Sequence, residues 1–310
     1  MTGWRQAALH LGLFAATAVS VGGTHWFISG SPVDEAVLFA GCVVAILGAH
    51  ELGHFFMARA HRVDASWPYF IPAPLLAFGT LGAVIRLRGR VPTRNALVDI
   101  GAAGPLAGMA LALPLLVAGA ALSHVGPVPQ GALEAMQFPA SSSLWGLGVR
   151  LWHSLGSDAA PAAAGGLYLV YGDNLLVLAV TRLVFGPVPP GSDVFVHPVF
   201  LAAWFGMLVT MLNLMPVGQL DGGHLTHAWL GRRAETVGRV VAYGLLALSL
   251  VASASWLVWF LVARYVVRLG HPPVVDEAVP LSTGRKVVCL VSLAVGVLTF
   301  MPVPMESFTP

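Results

Sequence analysis

Two short runs in this sequence bring together residue types that can bind a metal and move a proton. The first is His50, Glu51, Leu52, Gly53 and His54. On a helix, positions i and i+4 lie on one face, a turn apart. Two imidazoles so placed can reach one tetrahedral zinc ion, and the adjacent glutamate can contact a metal-bound water without being a ligand. A catalytic zinc takes three protein ligands and keeps one position open. The next candidates downstream, His61 and Asp64, fall in or beside a charged loop. A better third ligand lies in the second run, which holds Asn213, Pro216, Leu220, Asp221, Gly222, Gly223 and His224. Pro216 should break or kink a helix. Gly222 and Gly223 let the backbone turn sharply and bring a carboxylate close to a metal. Asp221 is the only carboxylate between Asp193 and Glu235.

Each of these residues has a plainer explanation. The histidines could bond backbone carbonyls, Glu51 could sit in a structural ion pair, and Asp221 could cap a helix. Setting weighs against this. His50, Glu51 and His54 interrupt an apolar stretch from Val43 to Met57, where ionisable groups are costly and are functional candidates by default. His224 either supports a ligand from behind or bonds its own turn. His271 and the other scattered histidines read as locally bonded.

The elements that must position these residues are membrane spans. The chain has 310 residues, 57% hydrophobic and 10% charged, with a mean hydropathy of +0.80. A soluble chain carries about 25% charged residues. Apolar stretches long enough to cross a bilayer, about 20 residues each, predict an all-α polytopic membrane protein. Six segments are expected, at 7–28, 34–58, 95–122, 197–215, 238–262 and 286–303. The first reads as a retained span rather than a cleaved signal. A further apolar stretch, 166–186, is broken by Gly172, Asp173 and Asn174 and reads as a short partly buried helix. In a six-span threading Arg5, the arginines of 59–94 and the 232–239 cluster share one side, while 264–286 falls on the other. That balance favours a cytoplasmic N-terminus. The net charge of +2, without a dense basic tract or interleaved aromatics, excludes nucleic acid as a partner. Cys42 and Cys289 lie in apolar segments and read as free thiols.

Segment 66–92 cannot be a helix, because it holds Pro68, Pro72, Pro74 and Pro92. Apolar and basic residues alternate from Val84 to Val91, which predicts a strand. At membrane depth its polar groups must pair within protein or face water. A small sheet dipping toward the cavity follows, with an edge to which an extended substrate could add.

The pairing of H-E-x-x-H with N-x-x-P-x-x-x-L-D-G resembles the site-2 protease family of intramembrane zinc metalloproteases. The match runs through His50, Glu51, His54, Asn213, Pro216, Leu220, Asp221 and Gly222. Gly101, Gly104, Pro105 and Gly108 resemble the family's Gly-Pro motif. The stretches 79–83 and 217–223 are most similar to the subgroup that includes plant chloroplast members. The resemblance implies a three-helix core near the cytoplasmic face and a membrane-reentrant hairpin at 66–92. It implies one Zn2+ held by His50, His54 and Asp221, with Glu51 as general base, Asn213 near the substrate or oxyanion, and His224 a possible supporting residue. It implies a membrane-spanning protein substrate, a lipid-bilayer setting and the bacterial inner membrane. A single membrane domain is expected, with a catalytic core at 34–230, accessory spans at 7–28 and 238–303, and a loop at 124–196 without a PDZ domain. An inactive scaffold and an ion-coupled transporter are the rival readings. A transporter would need paired inverted repeats, which the sequence lacks, and the intact Glu51 weighs against a scaffold.

Overall fold

The computed structural model describes residues 3–128, 143–148 and 168–308. The helices are α1 (Gly3–Ser29), α2 (Val33–Ala60), α3 (Arg94–Leu122), α4 (Leu175–Phe185), α5 (Pro198–Asn213), α6 (Asp221–Leu230), α7 (Ala234–Val251), α8 (Ser255–Leu261) and α9 (Thr283–Leu298). Among the described residues the strands form three antiparallel pairs. These are β1 (Tyr69–Pro72) with β2 (Thr80–Val84), β3 (His124–Pro127) with β5 (Ser192–Phe195), and β4 (Tyr168–Tyr171) with β6 (Met305–Phe308). By length and apolar composition Trp4–Ser29, Val33–Ala60, Arg94–Leu122 and the bent run Asp221–Val251 can each cross a bilayer. The protein is an all-α polytopic integral membrane protein with small strand pairs.

Local chemistry sets the helix ends. α2 carries Asp34 and Glu35 in its first turn and Arg59 in its last, each complementing the helix dipole. α3 starts at Thr93, whose side chain accepts the Ala96 N–H at 3.2 Å. The interruption at 172–174 is a strand end followed by a cap: Asn174 Oδ1 accepts the N–H groups of Leu176 and Val177 at 3.0 and 2.9 Å. The loop expected at 124–196 without a PDZ domain lies in part outside the described residues.

The core is α2, α3 and α5, with Trp204 of α5 1% exposed at its centre. A buried indole needs a partner for its N–H. Trp204 Nε1 donates to the Gly172 carbonyl at 2.7 Å, which ties the end of β4 to the core.

The expected segment 238–262 is not one span. It breaks at Ala252–Ala254 into antiparallel α7 and α8, and α8 ends in a π-helical turn, Val262–Val267. Ser253 directs the break, because its carbonyl accepts the Trp256 N–H at 3.0 Å and its Oγ lies 2.9 Å from Ser255 Oγ. Buried Trp256 then anchors α8 by donating to the Pro302 carbonyl at 2.6 Å. Serine and alanine scarcely lower a hydropathy average, so the break is invisible to it. The consequence is topological. Loop 268–282 returns to the side that holds the end of α2 and the start of α3. Val275 N–H reaches the Val91 carbonyl at 3.0 Å, Arg94 pairs with Glu277 at 3.6 Å, and Arg285 grips Asp99 at 2.7 Å. The six-span threading that put 264–286 on the far side is thereby corrected. Arg182 of α4 lines a far-side cavity with Ser29 and Phe200, and it is the one described basic residue there.

The alternation at 84–91 also resolves differently from one strand. β2 ends at Val84, and the chain then pairs with 64–66: Ser66 N–H to the Arg86 carbonyl at 3.0 Å and Arg88 N–H to the Asp64 carbonyl at 2.8 Å. Ile85 and Leu87 still face inward, against Phe55 and Ile100. The hairpin's polar backbone is satisfied by α1, as Ser20 Oγ donates to the Gly79 carbonyl at 2.6 Å and Thr24 Oγ1 to the Pro74 carbonyl at 3.3 Å.

Candidate metal centre

α2 and α3 approach closely because both are pared down where they meet. A methyl at Gly53 of α2 would meet the Ala103 carbonyl. On α3 a methyl at Gly104 would sit on the His54 ring, one at Gly108 would lie 3.4 Å from His50 Cβ, and one at Gly101 3.1 Å from His224 Cβ. Helices in lipid associate through such close packing, since no hydrophobic drive separates protein from acyl chains. The glycine stripe of α3 is therefore the floor on which the imidazoles lie. His54 Nδ1 donates to the Ile100 carbonyl at 2.7 Å. That bond fixes the tautomer and leaves the Nε2 lone pair facing inward.

The carboxylate arrives by a different route. α5 stops at Asn213, and Pro216 prevents continuation. The chain then folds so tightly that a methyl at Gly222 would meet the Leu214 carbonyl. Asp221 opens α6, where the helix dipole favours a negative charge.

These two routes converge. His50 Nε2 lies 3.1 Å from His54 Nε2, and both lie 3.3 Å from Asp221 Oδ2. A tetrahedral ion with bonds of about 2.0–2.1 Å has ligand–ligand edges of about 3.3 Å. Two nitrogens and one oxygen on a near-equilateral triangle of that edge fit a divalent metal. They fit a simple ion pair poorly, because both imidazoles turn Nε2 toward the same oxygen and toward each other. Among the described residues this is the one group of three or more His, Cys, Asp or Glu side chains spaced to hold a metal. His50 is 3% exposed and His54 7%.

The other expected residues surround the triangle. Asn213 Nδ2 lies 3.4 Å from His50 Nε2. The Glu51 carboxylate is buried near the Ile85 backbone N–H, just beyond β2. His224 lies behind Asp221, with Nδ1 2.6 Å from His271 Nε2. His271 also stacks on His227 at 4.1 Å and bonds the Pro272 carbonyl at 2.6 Å. Burial first, and then the neighbouring His224 and His227, push the His271 imidazole down to about 3. His61 and Asp64 go elsewhere. His61 bonds Asp99 at 2.9 Å, and Asp64 pairs with Arg88 at 3.7 Å. Cys42 and Cys289 are free and buried.

Sequence reasoning missed the supports: the Ile100 carbonyl, the Ile85 N–H and His271. A backbone group has no signature in residue type, and His271 meets His224 only after α7 and α8 have turned back. The three- and four-residue spacing of Gly101, Gly104 and Gly108 was the one signal that could have marked the face of α3 turned toward the histidines.

Residues 38–252 match the model of peptidase family M50. The chain is 30% identical over 272 residues to the "probable zinc metalloprotease EGY1, chloroplastic" of Arabidopsis thaliana, covering 87% of this chain and 44% of that protein. It is 29% identical over 271 residues to the protein of the same name in Oryza sativa subsp. japonica, covering 87% and 41%. It is 28% identical over 273 residues to "probable zinc metalloprotease EGY2, chloroplastic" of Oryza sativa subsp. indica, covering 88% and 44%. The chain thus spans less than half the length of these relatives. No solved structure gives a significant match. The family match takes in both the His50–His54 turn and the Asp221 turn, and this chain belongs to peptidase family M50, the site-2 protease family its motifs resemble.

Proposed function

We propose that this chain is a zinc endopeptidase that hydrolyses peptide bonds of membrane-spanning substrates, with His50, His54 and Asp221 as metal ligands and Glu51 as general base. The observation that carries the reading is the triangle of 3.1, 3.3 and 3.3 Å formed by the three ligand atoms. The naming of the plant relatives as zinc metalloproteases agrees with it. Zinc, when bound, lowers the pKa of water from 15.7 to about 7 and polarises a carbonyl. Glu51, beside the Ile85 N–H, accepts the water proton and passes it to the leaving amine. The Asn213 amide donates to the developing oxyanion. The Ile100 carbonyl and the His224–His271 pair hold the ligand residues in position from behind.

In this reading residues 34–230 are the catalytic core, 7–28 and 238–303 are accessory, and hairpin 66–92 presents substrate to the site. His54 sits six residues from the end of α2, about 9 Å along the axis, so water has a short path from that face. The concentration of basic residues on that side supports a cytoplasmic orientation; the bacterial inner membrane belongs to the same proposal. Cleavage of spanning segments suits a part in regulated intramembrane proteolysis.

The test is Glu51→Gln in the purified full chain, read by zinc content and by cleavage of a model transmembrane peptide. The variant is expected to keep one zinc and to lose cleavage by at least about 1,000-fold. Unchanged cleavage would remove Glu51 from the mechanism. Zinc retained in Asp221→Ala would remove the carboxylate from the ligand set. A wild-type chain that binds zinc but cuts no membrane peptide would favour the scaffold.

A further inference from the structure

Away from the metal centre, α7 and the end of α8 form an open cavity of about 450 Å3 lined by Arg239, Tyr243, Arg264, Tyr265, Arg268 and Leu269. Arg239 and Tyr243 are one turn apart on α7. Arg264, Tyr265 and Arg268 lie on or just after the π-helical turn 262–267. Tyr243 packs on Phe260 at 6.0 Å between ring centres, which holds the two helices together.

Three arginines line this cavity, and none of them is paired with a described carboxylate. Among the described residues no carboxylate lies within 4.0 Å of Arg239, Arg264 or Arg268. Arg239 spends its donors on its own helix, at the Glu235 carbonyl (3.4 Å) and Thr236 Oγ1 (3.3 Å). Arg264 lies over the Tyr265 ring at 5.4 Å. Three like charges gathered on one cavity at the end of two helices repel one another. Snorkelling alone would send them apart into water. Here they share one cavity with two tyrosines, the residues that sit at headgroup level. π-helical turns are rare and concentrate at functional positions. Arg268 is also one of two non-glycine residues with positive φ among the described residues, at 63°. A residue in that region is held there by its surroundings.

We propose that this cavity binds the phosphate of an anionic phospholipid headgroup. Arginine presents paired donors matched to a phosphodiester, and basic pockets between helices at a membrane face recognise acidic lipids. The site also bears on the metal centre. The Arg268 carbonyl packs directly against Gly218, in the turn between Asn213 and Asp221.

The experiment uses the full chain in mild detergent, titrated with phosphatidylglycerol or with phosphatidylcholine of the same acyl chains and read by native mass spectrometry. One phosphatidylglycerol should bind at least about tenfold more tightly than phosphatidylcholine. R239Q/R264Q should abolish that preference, R239K/R264K should keep most of it, and inorganic phosphate at about 10 mM should not displace the lipid. Zinc content should be unchanged in both variants, which separates this site from the proposed catalytic one. Equal binding of the two lipids, or full preference in R239Q/R264Q, overturns the proposal. Displacement by inorganic phosphate would assign the cavity to the free ion and overturn it equally.

Discussion

The two halves of the metal triangle are built by opposite means. The imidazoles sit on one uninterrupted helix, four residues apart, pressed on the glycine floor of α3. Asp221 sits at the start of a ten-residue helix, after a turn held by backbone packed on backbone at Gly222 and Gly218. The first half is rigid because a helix fixes its own periodicity. The second is rigid only because its surroundings are. The difference says where the centre is vulnerable: the histidine side to anything that fills the floor, the carboxylate side to anything that loosens the turn.

The sharpest break in this comparison is Gly104→Ala. Its methyl would fall on the His54 ring, so zinc and proteolysis should both be lost. The fold should weaken by about 1–3 kcal/mol from overpacking. Zinc content and a thermal melt in detergent check it, and a fully metallated Gly104→Ala protein would end the account of the floor. Gly222→Ala is its counterpart on the carboxylate side. The methyl meets the Leu214 carbonyl, and the turn must open. Zinc affinity should fall by about 10–100-fold, the range for misplaced ligand support, with the His54–Ile100 contact intact. Chelator competition measures this. If Gly222→Ala proves harmless while Gly104→Ala does not, the turn is softer than its packing indicates.

Asn213→Ala probes the space between the halves. Asn213 touches His50 but is not one of the three converging ligand atoms, so zinc should stay while kcat falls about 100-fold with little change in KM. Equal losses of zinc and kcat would make Asn213 a metal-site support instead.

The smallest effect belongs to His271. Its folded-state pKa of about 3 lies below the ordinary histidine value of about 6.5, so between those values the unfolded chain binds a proton that the folded chain does not. The loop's stability is thus complete above about pH 6.5 and falls as pH drops toward 3. Amide exchange across 268–282, corrected for intrinsic rates, should show less protection at about pH 5 than at pH 7, and His271→Gln should flatten that difference. An unchanged difference in His271→Gln would place the acid sensitivity elsewhere.

Much of the centre was legible before any coordinates. Four side chains were named from type and spacing, and His61 and Asp64, set aside as lying in or beside a charged loop, bond Asp99 and Arg88 instead. The threading after residue 238 was not legible. A hydropathy window averages across Ala252–Ala254, while the chain there answers to one serine and to a tryptophan anchored 46 residues away. The strand expected at 84–91 failed similarly. Alternation correctly gave the faces of Ile85 and Leu87, but the partner changes from β1 to 64–66 midway, and pairing partners are not written in a segment's own pattern.

What the sequence determined by itself was local and periodic: an apolar composition that demands lipid, a helix that sets His50 and His54 on one face, and a proline–glycine turn that frees Asp221. What the tertiary structure decided was every relation across the chain. These are the 3.3 Å reach of Asp221 to both imidazoles, the carbonyl behind His54, the return of loop 268–282, and the gathering of three arginines at one cavity. The physical reason is range. Helical spacing and turn chemistry act over a few residues and leave a mark in order and type. Close packing acts between whatever surfaces meet, and which surfaces meet is settled only when all the spans are assembled.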